Sequence, residues 1–320
     1  MHKTTSHKLG ITLAGVLALT VTSARADTFG ISGQEFTIDF VNIGNAGNTD
    51  DLGAGGGIYS TPYGGVGYGY RMGTYEISQD AITKATASGL GSVVAGSWGA
   101  SQPAADMTWF EAAAFVNFLN TSTGHQTAYQ LTGVTSLTPW ASVDAWQAGG
   151  ENLYRHKDAY YFLPSEDEWY KAAYHQNTGV NADYWDYATG SNSIPTAVAS
   201  GTTSGTAVYN NVTASPAAVN NDGGLSAYGT MGQNGNVWEW DESAFDGTNN
   251  SSSELRTILG GSWNNPEVNL RSSSRSTNVP SSSINNVGFR VASVPEPSCA
   301  MLMLGSGLGF LARRRRARSL

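Results

Sequence analysis

The chain contains a single cysteine, Cys299, close to its C-terminal end. Residues 27–297 therefore have to hold together with neither a disulfide nor a cysteine-ligated zinc ion. Stability must come from a buried core. A body of about 270 residues is long enough to bury one, although long for a single domain. The composition suits that demand: 9 Trp, 15 Tyr and 10 Phe supply large apolar side chains, charged residues make up only 13 %, and 39 glycines imply many turns.

Both ends read as addresses. Lys3 and Lys8 precede an uncharged segment, Leu9 to Thr22, and then Ala24-Arg25-Ala26, a small-x-small peptidase site. This pattern predicts a signal peptide over 1–26 with cleavage before Asp27. At the other end, Pro295-Glu296-Pro297 is followed by uncharged residues 298–312 and then by Arg313 to Arg316 and Arg318. An independent spanning helix needs about 20 apolar residues, so this stretch is marginal unless its arginines snorkel. Segment 294–320 resembles the PEP-CTERM sorting signal of Gram-negative bacteria. The resemblance implies a transient inner-membrane anchor at 298–312, cleaved by an exosortase-type enzyme, and a final place in the periplasm, outer membrane or cell surface. A plain C-terminal membrane anchor is the alternative reading.

Without these ends, residues 27–297 hold 9 lysines and arginines against 25 acidic residues, a formal net charge of −16. Phosphate backbones would be repelled, so nucleic acid is not an expected partner. An acidic exported body does suit calcium, which takes oxygen ligands.

No fixed-period repeat or long linker divides the body, and Gly/Asn-rich patches at 44–57 and 200–205 read as surface loops. Two helices are predicted by capping boxes: Thr108 with Glu111, and Ser165 with Glu168, each leading into an apolar face. Short β-prone runs at 36–41, 71–77, 160–163, 257–259 and 289–292 complete an α+β domain, loop-rich with two main helices.

Six segments, YRMGTYEIS (70–78), PAADMTWFEAAAFVNFLN (103–120), YFLPSEDEWYKAAY (161–174), YGTMGQNGNVWEW (228–240), LGGSWNN (259–265) and LRSSSRSTNVPSSSINNVGFRV (270–291), stand in one order. That order resembles the formylglycine-generating enzyme (sulfatase-modifying factor) domain. The resemblance implies one compact α+β domain over 27–293, related to C-type lectin folds. Taken by themselves, the tryptophans of these motifs read as core aromatics and Asn234-Gly235 as a tight turn.

Active members of that family oxidise a sulfatase cysteine using oxygen and copper held by two cysteines. A soft thiolate pair selects Cu(I), and hydroxyls do not replace it. The resemblance puts the two cysteine positions at Glu267 and Ser272, so copper is not expected. A serine nucleophile among 272–274 would need a nearby base, and His125, His156 and His175 lie in no triad context. A histidine-bound iron centre lacks the additional domain that supplies its ligands in related enzymes.

The family's calcium site implies ligands at Gly235, Val237 and Glu239, but Gly232 stands where a side-chain ligand belongs. Glu239 is thus either a calcium ligand or a buried hydrogen-bond acceptor. A second family calcium site, near AVYNN (207–211), has Val208 in place of asparagine, and calcium is not expected there. The Ser-rich stretch reads as a former catalytic segment kept as structure or as a binding groove lined by Ser272, Ser273, Asn278 and Asn285. Arg275 and Arg290 either hold that loop internally or contact a ligand. The expected function is a non-catalytic binding or structural role for an unidentified protein or glycan. An oxidoreductase using other residues and a lectin-like exopolysaccharide binder are the rivals.

Overall fold

The computed structural model describes residues 25–294 except 54–61, 92, 94, 95, 97, 149–151 and 250. All but the last two residues of the expected signal peptide, and the tail from Pro295, lie outside the described residues. No helix among the described residues is long and apolar enough to cross a membrane.

Local chemistry sets the two predicted helices. Thr108 and Ser165 are extended N-caps whose hydroxyls accept the N–H of Glu111 and Glu168, and each glutamate returns a bond to the cap's own N–H. These reciprocal bonds start α2 (Trp109–Ser122) and α3 (Glu166–Tyr174). A shorter helix, α1 (Gln79–Ala85), was not anticipated: its N-cap Ser78 accepts from Ala81 N–H. The run 71–77 therefore forms a strand only over Tyr70–Gly73, and the chain then turns into this cap.

Two sheets flank α2. The first has five antiparallel strands, in the order Arg25–Phe29, Phe36–Ile43, Tyr70–Gly73, Ala292–Ser293 and Tyr161–Phe162. Strand Phe36–Ile43 buries Phe36, Ile38 and Phe40 on one face, the period-2 pattern of a half-buried strand. The second sheet runs in the order Ser276–Asn278, Arg256–Leu259, Trp238–Ala244 and Val287–Phe289, with the last pair parallel. Phe115 of α2 sits 6.0 Å from Phe36 of the first sheet and 5.7 Å from Phe289 of the second. Each such ring, fully buried, stabilises the fold by about 1.5–3 kcal/mol.

The sequence run 289–292 splits between the sheets. Phe289 ends the second sheet, Ala292 enters the first, and Arg290 occupies the crossing with none of its surface exposed. Its guanidinium reaches Glu239 with two contacts of 2.6 Å and the carbonyls of Gly73, Thr74 and Met231 at 3.0, 3.3 and 2.7 Å. A second buried guanidinium, Arg155, bonds Glu168 of α3 (2.8 Å) and Glu242 of the second sheet (2.8 Å). Arg71 joins strands Arg25–Phe29 and Ala292–Ser293, bonding Asp27 at 2.7 Å and Ser293 Oγ at 2.8 Å.

Removing one partner of a fully buried ion pair leaves an unmatched charge, at a cost of about 3–5 kcal/mol. Arg290→Met is therefore expected to lower the unfolding free energy by about that much in a urea titration. Lys84→Met, which removes an exposed pair with Asp80 (2.7 Å), should change it little. Equal effects would refute the central role given to Arg290.

Candidate functional site

Glu267 and Ser272, the residues expected at the cysteine positions, both carry hard oxygen side chains. Glu267 opens a short 3-10 turn, Glu267–Leu270, and lies 3.6 Å from Arg271, both being partly exposed. Ser272 N–H donates to the Asp186 carbonyl at 2.9 Å. The Tyr170 hydroxyl donates to Asp51 at 2.7 Å. The arrangement offers oxygens where a Cu(I) ion wants thiolates.

The expected groove residues do not act together. Ser273 is exposed, Asn278 ends a strand and caps Val279 N–H through Oδ1, and exposed Asn285 gives its carbonyl to Trp98 Nε1 at 2.7 Å. Arg290 is a correction to the groove expectation: it is wholly buried at the sheet crossing and cannot meet a ligand there. Arg275 forms a fork with Glu166, 2.5 and 2.7 Å, and lies 4.2 Å over Phe245 and 5.1 Å over Tyr63.

Glu239 is the buried acceptor of the two readings given for it. Oε1 takes Arg290 Nη2, while Oε2 takes Arg290 Nε at 2.6 Å and Trp169 Nε1 at 2.7 Å. The set Gly235, Val237 and Glu239 does not fit calcium in this arrangement. The carboxylate is already matched by a full positive charge, and a dication would face the same guanidinium. Gly235 is constrained for another reason: at φ +95, any Cβ would lie 2.2 Å from the Val208 carbonyl.

Two carboxyls that the sequence reading passed over meet beside Gly232. Glu76 and Asp222, 3 % and 1 % exposed, both accept from Asn236 Nδ2, at 2.9 and 3.0 Å. A Cβ on residue 232 would lie 2.6 Å from Asp222 Oδ2 and 2.9 Å from Glu76, which explains a glycine there. Burial drives both carboxyls toward the neutral form: Glu76 well above the usual range and Asp222 to about 7. Glu76 Oε1 and Asp222 Oδ1 have no bond from another side chain or the backbone.

The histidines are elsewhere. His125 stacks on Tyr160 at 4.4 Å, His156 Nδ1 accepts Asp158 N–H at 3.0 Å, and buried His175 contacts the Tyr228 hydroxyl at 2.9 Å. Burial, aided by Lys171, pushes the His175 imidazole down to about 4, so it is neutral at pH 7. None of these bonds reaches the serines of the loop.

Two adjoining cavities lie on the Arg275 side of the molecule. One cavity of about 410 Å³ is lined by Tyr63, Glu166, Phe245, Asn249 and Arg275 among others. A second, of about 290 Å³, is lined by Tyr68, Trp146 and Asn152 among others. Both share Asp167, Ser243 and Gly247, and neither is lined by Ser272, Ser273, Asn278 or Asn285.

With this geometry in hand, comparison with known proteins gives one family. Residues 30–294 match the sulfatase-modifying factor enzyme 1-like domain, and the chain belongs to that family. No curated protein matches. Among solved structures, Treponema denticola variable protein 1 is similar at 19% identity and a TM-score of 0.58, over 85% of this chain and 100% of that one. CarF is similar at 22% identity and 0.55, over 81% and 99%. PvdO from Pseudomonas aeruginosa follows at 15% and 0.52, over 84% and 98%. At these identities the likeness is one of fold.

Asp222 holds its proton to about pH 7 in the folded chain, against an ordinary value of 3.8. Between those values the folded state binds more proton than the unfolded one, so this group removes stability as pH rises through the window. Asp222→Asn cannot ionise. The melting temperature of the variant is expected to depend less on pH between 4 and 7 than that of the wild type, scanned in parallel. Parallel curves would show that the Asp222 carboxyl is not perturbed.

Proposed function

We propose that this chain is an exported cell-envelope protein whose sulfatase-modifying factor-like domain is non-catalytic and serves a binding or structural role. The observation that carries the reading is the state of the two copper positions. Glu267 and Ser272 are a carboxylate and a hydroxyl, one beside Arg271 and the other on backbone bonded to Asp186. Two hard oxygens disfavour Cu(I), and the one cysteine of the chain, Cys299, lies in the tail. Oxygen activation by the family's route has no metal ligand to start from.

Export rests on the ends of the sequence: the Lys-apolar-Ala-x-Ala start, and the Pro-Glu-Pro, apolar, Arg-rich finish. In the native host, mass spectrometry of the mature chain should find a start at Asp27 and an end near residues 295–297. Arg313 to Arg316 intact in the surface fraction would reject tail processing.

The non-catalytic reading makes a sharper demand. The purified protein is expected to leave a Cys-x-Pro-x-Arg sulfatase peptide unconverted with or without copper, and to lose a Cu(I) competition titration to weak chelators. Glu267→Cys combined with Ser272→Cys should raise Cu(I) affinity above either single variant, because thiolates replace oxygens on the same segment. Strong copper binding by the wild type would mean that the metal positions are misassigned. Peptide turnover by the wild type would overturn the reading itself.

A further inference from the structure

The cleft formed by the two adjoining cavities is lined by neither Glu267 nor Ser272, and its lining combines aromatic rings with polar side chains. Aromatic side chains stand at both ends: Tyr63 and Phe245 in the larger cavity, Tyr68 and Trp146 in the smaller. Tyr68 and Trp146 are packed edge to face, 5.6 Å apart, and Trp146 Nε1 is satisfied by the Ala148 carbonyl at 2.8 Å. Those contacts fix the rings in place before any ligand arrives.

Between the aromatic ends lies Asp167, common to both cavities and part of the first turn of α3. Its Oδ1 is fixed by Gly64 N–H at 2.9 Å. Asn152 and Asn249, one in each cavity, are tied into the wall: Asn152 donates to Glu242 and accepts from Tyr154 N–H and Asn249, and Asn249 accepts from Ala244 N–H and Arg256, which leaves each amide its second N–H to give.

The charges narrow the ligand further. Arg155 in the smaller cavity is spent on Glu168 and Glu242, and Arg275 in the larger is spent on Glu166. Asp167 takes its bond from a backbone N–H and Asp246 is exposed, so the cleft leans negative in a body that is itself acidic. An anionic ligand would be repelled. A purely apolar one would take water from the Asp167 carboxylate and give it no hydrogen bond in return. What suits flat aromatic faces alternating with donors and acceptors is a ring with C–H faces and hydroxyl edges.

We propose that this cleft binds an uncharged saccharide, its sugar rings lying against the aromatic side chains and its hydroxyls bonded to Asp167 and to the N–H that Asn152 and Asn249 each leave over. The proposal deepens the non-catalytic binding role and rests on it. It assigns the ligand to the Asp167 face and away from the Ser272 loop. Two adjoining cavities of about 410 and 290 Å³ fall in the size range of small-ligand sites and would take a short stretch of a glycan chain.

The test uses the full chain, expressed with its export signal. It is applied to an array of uncharged oligosaccharides (glucans, mannans, galactans and N-acetylhexosamine polymers), with uronate oligomers as the anionic arm. Hits are then titrated by calorimetry. At least one uncharged glycan is expected to bind, with uronate oligomers weaker. Trp146→Ala and the milder Asp167→Asn should each weaken it about tenfold, the size of one good aromatic or hydrogen-bonding contact. Asp167→Asn keeps the size of the side chain, so a native melting temperature for it separates a binding effect from misfolding.

Silence across the uncharged array, a preference for uronates, or undiminished binding by both folded variants would overturn the proposal. So would capture of the sulfatase peptide that Trp146→Ala abolishes, which would make the cleft a peptide site. Any of these results, with the wild type still failing to bind copper, would discard the saccharide and leave the non-catalytic reading standing. Copper binding with turnover would remove that reading instead.

Discussion

The ion pair between Arg290 and Glu239 is the constraint from which most of this structure hangs. Neither side chain has exposed surface, so the pair has no water to fall back on. The guanidinium needs every acceptor it is given: the carboxylate and three carbonyls from two further segments. The carboxylate also anchors the indole of Trp169 in α3. One charge pair thus fixes the end of one sheet, the start of the next, a loop and a helix. The same engagement removes Glu239 from the ligands offered to a metal, so a motif residue that reads as a cation site serves the architecture here.

Buried charge recurs as a building method in this cysteine-free body. Arg155 joins Glu168 and Glu242 between α3 and the second sheet, and Arg275 joins Glu166. Such pairs give less net stability than apolar packing would, because desolvating each ion costs several kcal/mol. They specify geometry instead, since a guanidinium fork accepts few arrangements. The walls of the Asp167 cleft are held by two of these forks, so its shape is set before binding and little ordering entropy remains to be lost on binding.

How much of this was legible beforehand depended on the range of the interaction. The helices of Thr108 and Ser165 were readable because a capping box lies within four residues, and the family motifs carried the single-domain architecture. Helix α1 was missed because seven residues show too little periodicity against a neighbouring β-prone run. The 289–292 run was merged into one strand because nothing local marks Arg290 as a crossing. Glu76 and Asp222 gave no signal at all: they are far apart in sequence, and only the fold makes them neighbours. The groove around Ser272 was inferred from where the family's chemistry would lie, whereas concavity is a property of packing. It lies next to Arg275, three residues further on.

Arg71 holds both extremities of the domain, Asp27 and Ser293, on a single guanidinium. The strand that ends at Ser293 is hydrogen-bonded on both sides, to Tyr70–Gly73 and to Tyr161–Phe162. A tether pulling on whatever follows Ser293 would therefore load an interior strand, where several ladder bonds and an ion pair must yield together. An edge strand would instead peel away one bond at a time. Force applied at Ser293 would thus pass through Arg71 to the first strand before reaching the core.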